Sequence, residues 1–223
     1  SLHDALPISG PRTNEMEERH VRKLEYTKMV IGELVNDIGP GAMNTFSAVG
    51  DINGDGLVDI VLGGRNGRLV WFENIGQRGE WPMHLIDEPG CLECGGCLHD
   101  LTGNGYPDVI NGGDYRVDEI WWWENPGPDN RRWQKRIIAK TGNPQFHDTA
   151  IGEVTGDGRL SLVFTNQRGG TTIYRVPLPH EPRVSPWPGL EIIARHRAEP
   201  NPYRVEGSQP EEGLAIGDVD SDG

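Results

Sequence analysis

Short apolar runs separated by turn-forming residues characterise this chain. The longest unbroken apolar runs, 69–72 and 120–123, have four residues each, and Gly, Asp and Asn cluster between the runs. Such a pattern is typical of β-strands joined by tight turns. We predict strands near 46–51, 58–63, 68–73 and 82–86, and again near 95–100, 107–111, 118–124 and 132–138. The proline-rich stretch 177–188 is predicted to be a surface loop, because proline cannot donate to a central strand.

A ten-residue segment recurs along the chain. Residues 50–59 (GDINGDGLVD) match 99–108 (HDLTGNGYPD) and 152–161 (GEVTGDGRLS), and a further copy begins at Gly217-Asp218. The first acidic positions are 51, 100, 153 and 218, so successive copies are 49, 53 and 65 residues apart. A repeat of about 50 residues that carries four strands is typical of one blade of a β-propeller.

The repeat predicts an all-β fold built of four-stranded blades of about 50–60 residues. A four-stranded sheet with two apolar faces buries both when sheets stack radially around an axis. We place the blades near 45–89, 94–140 and 147–196, with the start of another at 212–223. A closed ring uses four or more blades, so we expect residues 26–223 to be a partial propeller, with 26–31 as an outer strand. Residues 1–25 are expected to be a non-native or flexible leader.

The composition argues against some classes of function. The net charge is −13, from 21 Lys and Arg against 34 Asp and Glu, which argues against a nucleic-acid groove because such grooves need clustered basic residues. No apolar run approaches the roughly 20 residues of a membrane-spanning helix, so we expect no membrane span. An acidic chain of this kind binds cations or simply has an acidic surface.

The first copy of the repeat has the spacing of a calcium loop. Asp51, Asn53, Asp55 and Asp59 occupy loop positions 1, 3, 5 and 9, and the backbone carbonyl of Leu57 occupies position 7. Calcium takes six to eight oxygen ligands, and a tight loop supplies them from alternate residues. The alternative is a turn rich in Asp, Asn and Gly for conformational reasons alone. Recurrence of the pattern in register favours calcium.

The other copies vary in their ligand sets. Fewer carboxylates mean weaker calcium binding, so we expect the first loop to bind most tightly, the second less tightly and the third weakly or not at all. Ser161 replaces the last carboxylate in the third copy. The expected ligands are Asp100, Thr102, Asn104, Tyr106 (carbonyl) and Asp108 in the second loop, Glu153, Thr155 and Asp157 in the third, and Asp218, Asp220 and Asp222 in the fourth.

These loops, together with the strand ends 71–74 (WFEN) and 122–127 (WWENPG), resemble the FG-GAP or VCBS repeat family of integrin-α-like β-propellers. The Phe-Gly and Gly-Ala-Pro signatures of integrin repeats are absent, so the bacterial VCBS type is the closer match. The resemblance implies calcium in the loop after the inner strand of each blade and an extracellular or periplasmic location. It also implies a larger, seven-bladed ring completed by further blades of the full-length chain.

The resemblance leaves two functions open, besides that of a purely structural propeller carried by another catalytic domain. One is a carbohydrate- or protein-binding module whose partner is a polysaccharide or a cell-surface protein. The other is a carbohydrate-active enzyme of the polysaccharide lyase or sugar dehydratase type, with its site at the mouth of the channel. His147, Asp148, His99 and Glu212 are the candidates for acid–base work there, and their clustering would favour the enzyme. The alternative is that they are solvated residues at strand ends.

Two further clusters are compatible with structural roles. Cys91, Cys94 and Cys97 precede His99, but no fourth cysteine exists for an iron–sulfur cluster, and alternation along a strand sends neighbouring side chains to opposite faces. We therefore expect buried or partly paired thiols, with a zinc or iron–sulfur site as the alternative. Residues 121–123 are three successive tryptophans, which the same alternation assigns to packing between blades rather than to stacking on sugar rings.

Overall fold

The computed structural model describes residues 26–35, 39, 43–129, 132–168, 172–195 and 213–219. The predicted leader 1–25 and the candidate residues Glu212, Asp220 and Asp222 lie outside these residues.

Twelve strands form three antiparallel sheets, and the strand order in each sheet follows the chain. The described residues contain no α-helix, which confirms the all-β prediction and the three four-stranded units. The strands are β1 (Met43–Gly50), β2 (Asp59–Arg65), β3 (Leu69–Phe72) and β4 (Met83–Asp87) in sheet 1, β5 (Cys97–His99), β6 (Asp108–Gly112), β7 (Glu119–Glu124) and β8 (Gln134–Lys140) in sheet 2, and β9 (Phe146–Glu153), β10 (Leu160–Asn166), β11 (Thr172–Pro177) and β12 (Glu191–Arg195) in sheet 3.

The three sheets pack face to face in chain order. Because side chains alternate along a strand, the tryptophans of β7 divide between the two faces of sheet 2. Trp121 and Trp123 join the core shared with Val61 and Trp71 of sheet 1. Trp122 joins the core that contains residues of sheet 3, including Phe164. This confirms that the tryptophans pack between sheets.

Neighbouring sheets approach most closely at their first strands, where glycine makes room. A Cβ atom at Gly50 would lie 2.9 Å from the side chain of Leu98 on β5. A Cβ atom at Gly152 on β9 would lie 2.9 Å from the side chain of Ile216. Leu98 and Ile216 occupy the same repeat position, two residues before the first acidic residue of their loops. Residues 213–219 therefore lie against β9 as β5 lies against β1.

Residues 26–35 differ from the prediction. They form no regular secondary structure, although the Trp81 N–H donates to the Ile31 carbonyl at 2.6 Å. Gly32 lies directly against the ring of Phe72, whose neighbour Trp71 faces sheet 2. The segment thus covers the face of sheet 1 that points away from sheet 2, instead of extending a sheet edge as the predicted strand 26–31 would.

Each sheet has two ends with different loops. The loops that follow β1, β5 and β9 lie at one end, which we call the metal-loop end. The turns that follow β2, β6 and β10 lie at the opposite end, as the antiparallel order requires. None of the described residues belongs to a helix long and apolar enough to cross a membrane.

Candidate metal loops and the opposite end of the sheets

Loop 1, residues 51–58, closes around the carboxylate of Asp51. Its Oδ1 atom accepts the N–H groups of Gly54 at 2.8 Å and Asp55 at 3.1 Å, and its Oδ2 atom accepts the N–H of Gly56 at 2.9 Å. Gly54 and Gly56 have φ of 78° and 85°, a conformation that costs other L-residues about 1–2 kcal/mol. The glycines of the motif therefore let the chain wrap tightly around its first carboxylate.

The last carboxylate of the loop, Asp59, is fully buried. Its Oδ2 atom accepts the N–H of Ile52 and its Oδ1 atom accepts the N–H of Asn74, both at 2.8 Å. Asp59 thereby ties the loop to the end of β3. Burial raises the pKa of Asp59, the two N–H donors lower it, and the nearby carboxylates of Asp55 and Asp51 raise it. A cation in the loop would relieve this repulsion among carboxylates.

Loop 2, residues 100–107, repeats this geometry. The carboxylate of Asp100 accepts N–H groups from Gly103 at 2.8 Å, Asn104 at 3.1 Å and Gly105 at 2.8 Å. The buried carboxylate of Asp108 accepts N–H groups from Leu101 at 2.9 Å and from Asn125 at 2.7 Å. Burial raises the pKa of Asp108 to about 7 against the lowering effect of these two donors. The sequence match between the two loops therefore reflects the same backbone conformation.

The two loops also contact each other. The ring of Tyr106 in loop 2 lies so close to Gly54 that a Cβ atom there would be 2.8 Å away. The side-chain amide of Asn125 donates to the carbonyls of Ile52 at 2.9 Å and Pro107 at 3.1 Å. Loops 1 and 2 thus form a continuous surface across sheets 1 and 2.

Loop 3, which follows β9, differs at its last position. Glu153 Oε1 accepts the N–H groups of Thr155 at 2.7 Å and Gly156 at 2.8 Å, so the front of the loop is similar. Ser161 stands where loops 1 and 2 have a buried aspartate, and its hydroxyl accepts the Nε–H of Arg175 at 2.9 Å. A guanidinium beside the loop disfavours a second cation there. Asp218, from the fourth copy, is exposed.

The oxygen chemistry of loops 1 and 2 fits a hard cation. Asp51, Asn53 and Asp55 carry carboxylate and amide oxygens at alternate positions of loop 1. The Asn53 side-chain N–H donates to Oδ2 of Asp55 at 3.2 Å, and Oδ1 of Asn53 accepts the Asp55 backbone N–H at 3.0 Å. A carboxylate oxygen has enough lone pairs to accept an N–H group and still bind a cation. Within the described residues no three His, Cys, Asp or Glu side chains converge as a metal site. An ion in these loops would therefore depend on amide, hydroxyl and backbone carbonyl oxygens as well.

The candidate acid–base residues divide between the two ends of the sheets. At the opposite end, His147 Nδ1 lies 2.9 Å from Asp148 Oδ2, and that oxygen also accepts the Gly213 N–H at 2.9 Å. His99 ends β5 at the metal-loop end and pairs with Asp108. The residue of β9 at the same repeat position as His99 is Gly152. Gly152 lies five residues after His147, a distance of roughly 16 Å along a strand. The structure therefore brings His147 and Asp148 together and leaves His99 apart.

The three cysteines are free thiols. The pKa values of Cys94 and Cys97 are raised to about 11, mainly by burial. Burial also raises the pKa of Cys91. The Cys94 thiol donates to Glu93 Oε1 at 3.3 Å. Thiols with raised pKa values are poor nucleophiles and poor metal ligands at neutral pH.

Sequence reasoning missed a cluster at the opposite end. The guanidinium carbons of Arg65, Arg116 and Arg168 lie 5.8, 5.4 and 5.4 Å from the centre of the Tyr115 ring. Each arginine belongs to a different sheet or the turn that follows it. The one available signal was that all four residues lie at the end of the second strand of successive repeats or just after it.

Comparison of the sequence with models of known protein families gives no match, and comparison with curated proteins gives none either.

Proposed function

We propose that this chain is part of a calcium-binding β-propeller that acts outside the cytoplasm as a carbohydrate- or protein-binding module. The observation that carries the proposal is the identical wrapping of loops 1 and 2 around Asp51 and Asp100, at the same place in successive stacked sheets. Both loops also end on a buried carboxylate, Asp59 or Asp108, which is the candidate ligand at position 9. The resemblance of these segments to FG-GAP or VCBS repeats supports the same function.

Calcium in these loops would have a structural role. Asp51, Asn53, Asp55, Asp59 and the Leu57 carbonyl would hold the ion in loop 1, and the corresponding residues would hold it in loop 2. The ion would offset the charge repulsion among the carboxylates and fix the connection between the first two strands of each sheet. Because loops 1 and 2 touch, it would also stiffen the contact between sheets 1 and 2.

Further blades would complete the ring. Ile216 packs on Gly152 in the way that Leu98 packs on Gly50, so the direction of stacking continues past sheet 3. This supports a propeller of more blades than the three described sheets, with the remaining blades supplied by the full-length chain.

The distance of His99 from His147 and Asp148 favours the module over the enzyme. The Asp148 carboxylate lies 2.9 Å from His147 Nδ1 and accepts the Gly213 backbone N–H at 2.9 Å, contacts that hold the start of β9 in place. His99 lies at the other end of its sheet. A lyase or dehydratase site would instead require these groups around one cavity.

Calorimetric titration of the purified chain with Ca²⁺, and with Mg²⁺ as the matched control, tests the proposal. We expect heat of binding with Ca²⁺, a lower melting temperature in chelator, and recovery with Ca²⁺ but not with Mg²⁺. A ligand that binds only the folded state stabilises it by about 2.7 kcal/mol at a hundredfold excess over Kd. No heat with Ca²⁺ and an unchanged melting temperature in chelator would refute calcium binding.

A further inference from the structure

An exposed tyrosine ring lies among arginines from three sheets. Tyr115, in the turn between β6 and β7, is 45% exposed. Arg65 ends β2 of sheet 1, Arg116 follows Tyr115 in sheet 2, and Arg168 follows β10 of sheet 3. All three guanidinium carbons lie within 6 Å of the ring centre, the range in which a cation is attracted to an aromatic face.

Buried carboxylates hold two of these arginines in place. Arg65 pairs with Glu93, whose side chain is only 1% exposed. Arg116 donates its Nε–H to both oxygens of Asp114 at 3.0 Å, and Asp114 is fully buried. A buried carboxylate paired with arginine is costly to break because it would leave an uncompensated charge. The two guanidinium groups are therefore fixed beside the ring before any ligand arrives.

The surface of the cluster can still bind an anion. Arg168 is exposed, and its Nε–H donates at 3.0 Å to the amide oxygen of Gln145, which carries no charge. The Nη1 atom of Arg65 lies 4.0 Å from the thioether of Met43, a weak acceptor. Glu93 and Asp114 neutralise Arg65 and Arg116, so Arg168 supplies the uncompensated positive charge of the cluster in a chain whose net charge is −13.

We propose that Tyr115 and the arginines around it bind an acidic saccharide. The apolar face of one sugar ring would pack against the exposed part of the Tyr115 side chain, and the sugar carboxylate would accept charge-assisted hydrogen bonds from Arg168 and Arg65. The platform is one ring wide, and the acidic surroundings repel long polyanions. A short oligosaccharide that carries carboxylates is the ligand that suits both features.

The inference rests on the proposed function only in taking a carbohydrate as the ligand. The cluster lies at the end of the sheets opposite loops 1 and 2, so the saccharide site and the calcium sites can be tested separately.

Titration calorimetry with short oligogalacturonides tests the proposal, with malto-oligosaccharides of equal length as the neutral control. Both titrations are run in chelator and again in Ca²⁺. We expect the acidic sugar to bind in both conditions, binding to weaken as salt rises, and no binding of the neutral sugar. Binding seen only with Ca²⁺ would assign the sugar to the metal loops and overturn the proposal, as would no binding at all.

Point variants test whether the acidic sugar binds at Tyr115 and the arginines around it. Tyr115→Ala and Arg168→Gln should each weaken binding at least tenfold, whereas Tyr115→Phe keeps the ring and should bind within about threefold of the unaltered protein. Arg78→Gln removes the same charge from an exposed loop at the other end of sheet 1 and should bind normally.

The remaining outcomes are equally decisive. Equal loss in Arg78→Gln would show non-specific charge attraction, and unchanged binding in Tyr115→Ala would show that the ring is not used. A hexaglutamate peptide that binds as tightly as the sugar would overturn the saccharide assignment. Circular dichroism melting curves establish that each variant is folded before its binding is compared.

Discussion

The carboxylates of loops 1 and 2 make different contacts with the backbone. Both oxygens of Asp59 accept backbone N–H groups, and so do both oxygens of Asp108. These two residues shape the loops even without an ion. Asp55, by contrast, is exposed, and its Oδ1 atom accepts one backbone bond, from the Leu57 N–H at 2.8 Å. Asp55 is therefore the position where charge can be removed with the least damage to the loop.

Replacing Asp55 with Asn separates calcium binding from loop structure. The Asn side chain keeps an oxygen that can accept the Leu57 N–H, so we expect nearly unchanged stability in chelator. It removes one negative charge from the ligand set, so calcium affinity at loop 1 should fall about tenfold or more, equivalent to about 1.4 kcal/mol. The measurement is the melting temperature as a function of Ca²⁺ concentration.

Asp118→Asn is the matched control for this experiment. Asp118 lies in the turn between β6 and β7, at the end away from the loops. Its replacement should leave the calcium dependence as it is. If Asp55→Asn and Asp118→Asn gave the same calcium dependence as the unaltered protein, loop 1 would not be a calcium site.

At the scale of elements, the sheets meet through backbone contacts that side chains would block. Gly95 precedes β5 and has φ of 70°. A Cβ atom there would overlap the carbonyl oxygen of His147, while the Thr149 hydroxyl donates to the Gly95 carbonyl at 2.5 Å. The start of β9 therefore rests on the segment that leads into β5.

Gly95→Ala should destabilise this junction strongly. Gly142→Ala is the matched control, because Gly142 has φ of 74° but no atom within 4 Å of an added Cβ. We expect Gly142→Ala to cost about 1–2 kcal/mol from backbone strain alone. Gly95→Ala should cost at least about 2 kcal/mol more, because the overlapping backbone must move. Urea denaturation measures both, and equal costs would contradict the close contact.

Individual strands were easier to predict from the sequence than the places where residues from different sheets meet. Strand β7 was predicted at 118–124 and runs from Glu119 to Glu124, because a short apolar run between turn-forming residues is a local signal in the sequence. Residues 26–31 look equally strand-like but lie on a sheet face, since the choice between an edge and a face depends on tertiary packing. The arginines around Tyr115 were not predictable, because they are 50 residues or more apart and meet only when three sheets stack.

At the scale of the molecule, each sheet is buried by its neighbours. Sheet 2 has apolar side chains on both faces, with Val109 and Trp123 towards sheet 1 and Ile110 and Trp122 towards sheet 3. A single four-stranded sheet could not bury both faces alone. The sheets should therefore unfold together rather than one at a time.

A fully buried tryptophan in the core between sheets 2 and 3 allows a test of this dependence. Trp122 is fully buried, and truncating a buried tryptophan to alanine costs about 3–5 kcal/mol. We expect Trp122→Ala to shift the whole unfolding transition to a lower urea concentration. Tryptophan fluorescence and far-ultraviolet circular dichroism should both report this transition, at the same midpoint. Trp81→Ala, in a half-buried loop residue, should cost less than about 1 kcal/mol. Two separated transitions in Trp122→Ala would mean that the sheets fold independently, and a cost equal to that of Trp81→Ala would mean that the packing between them contributes little.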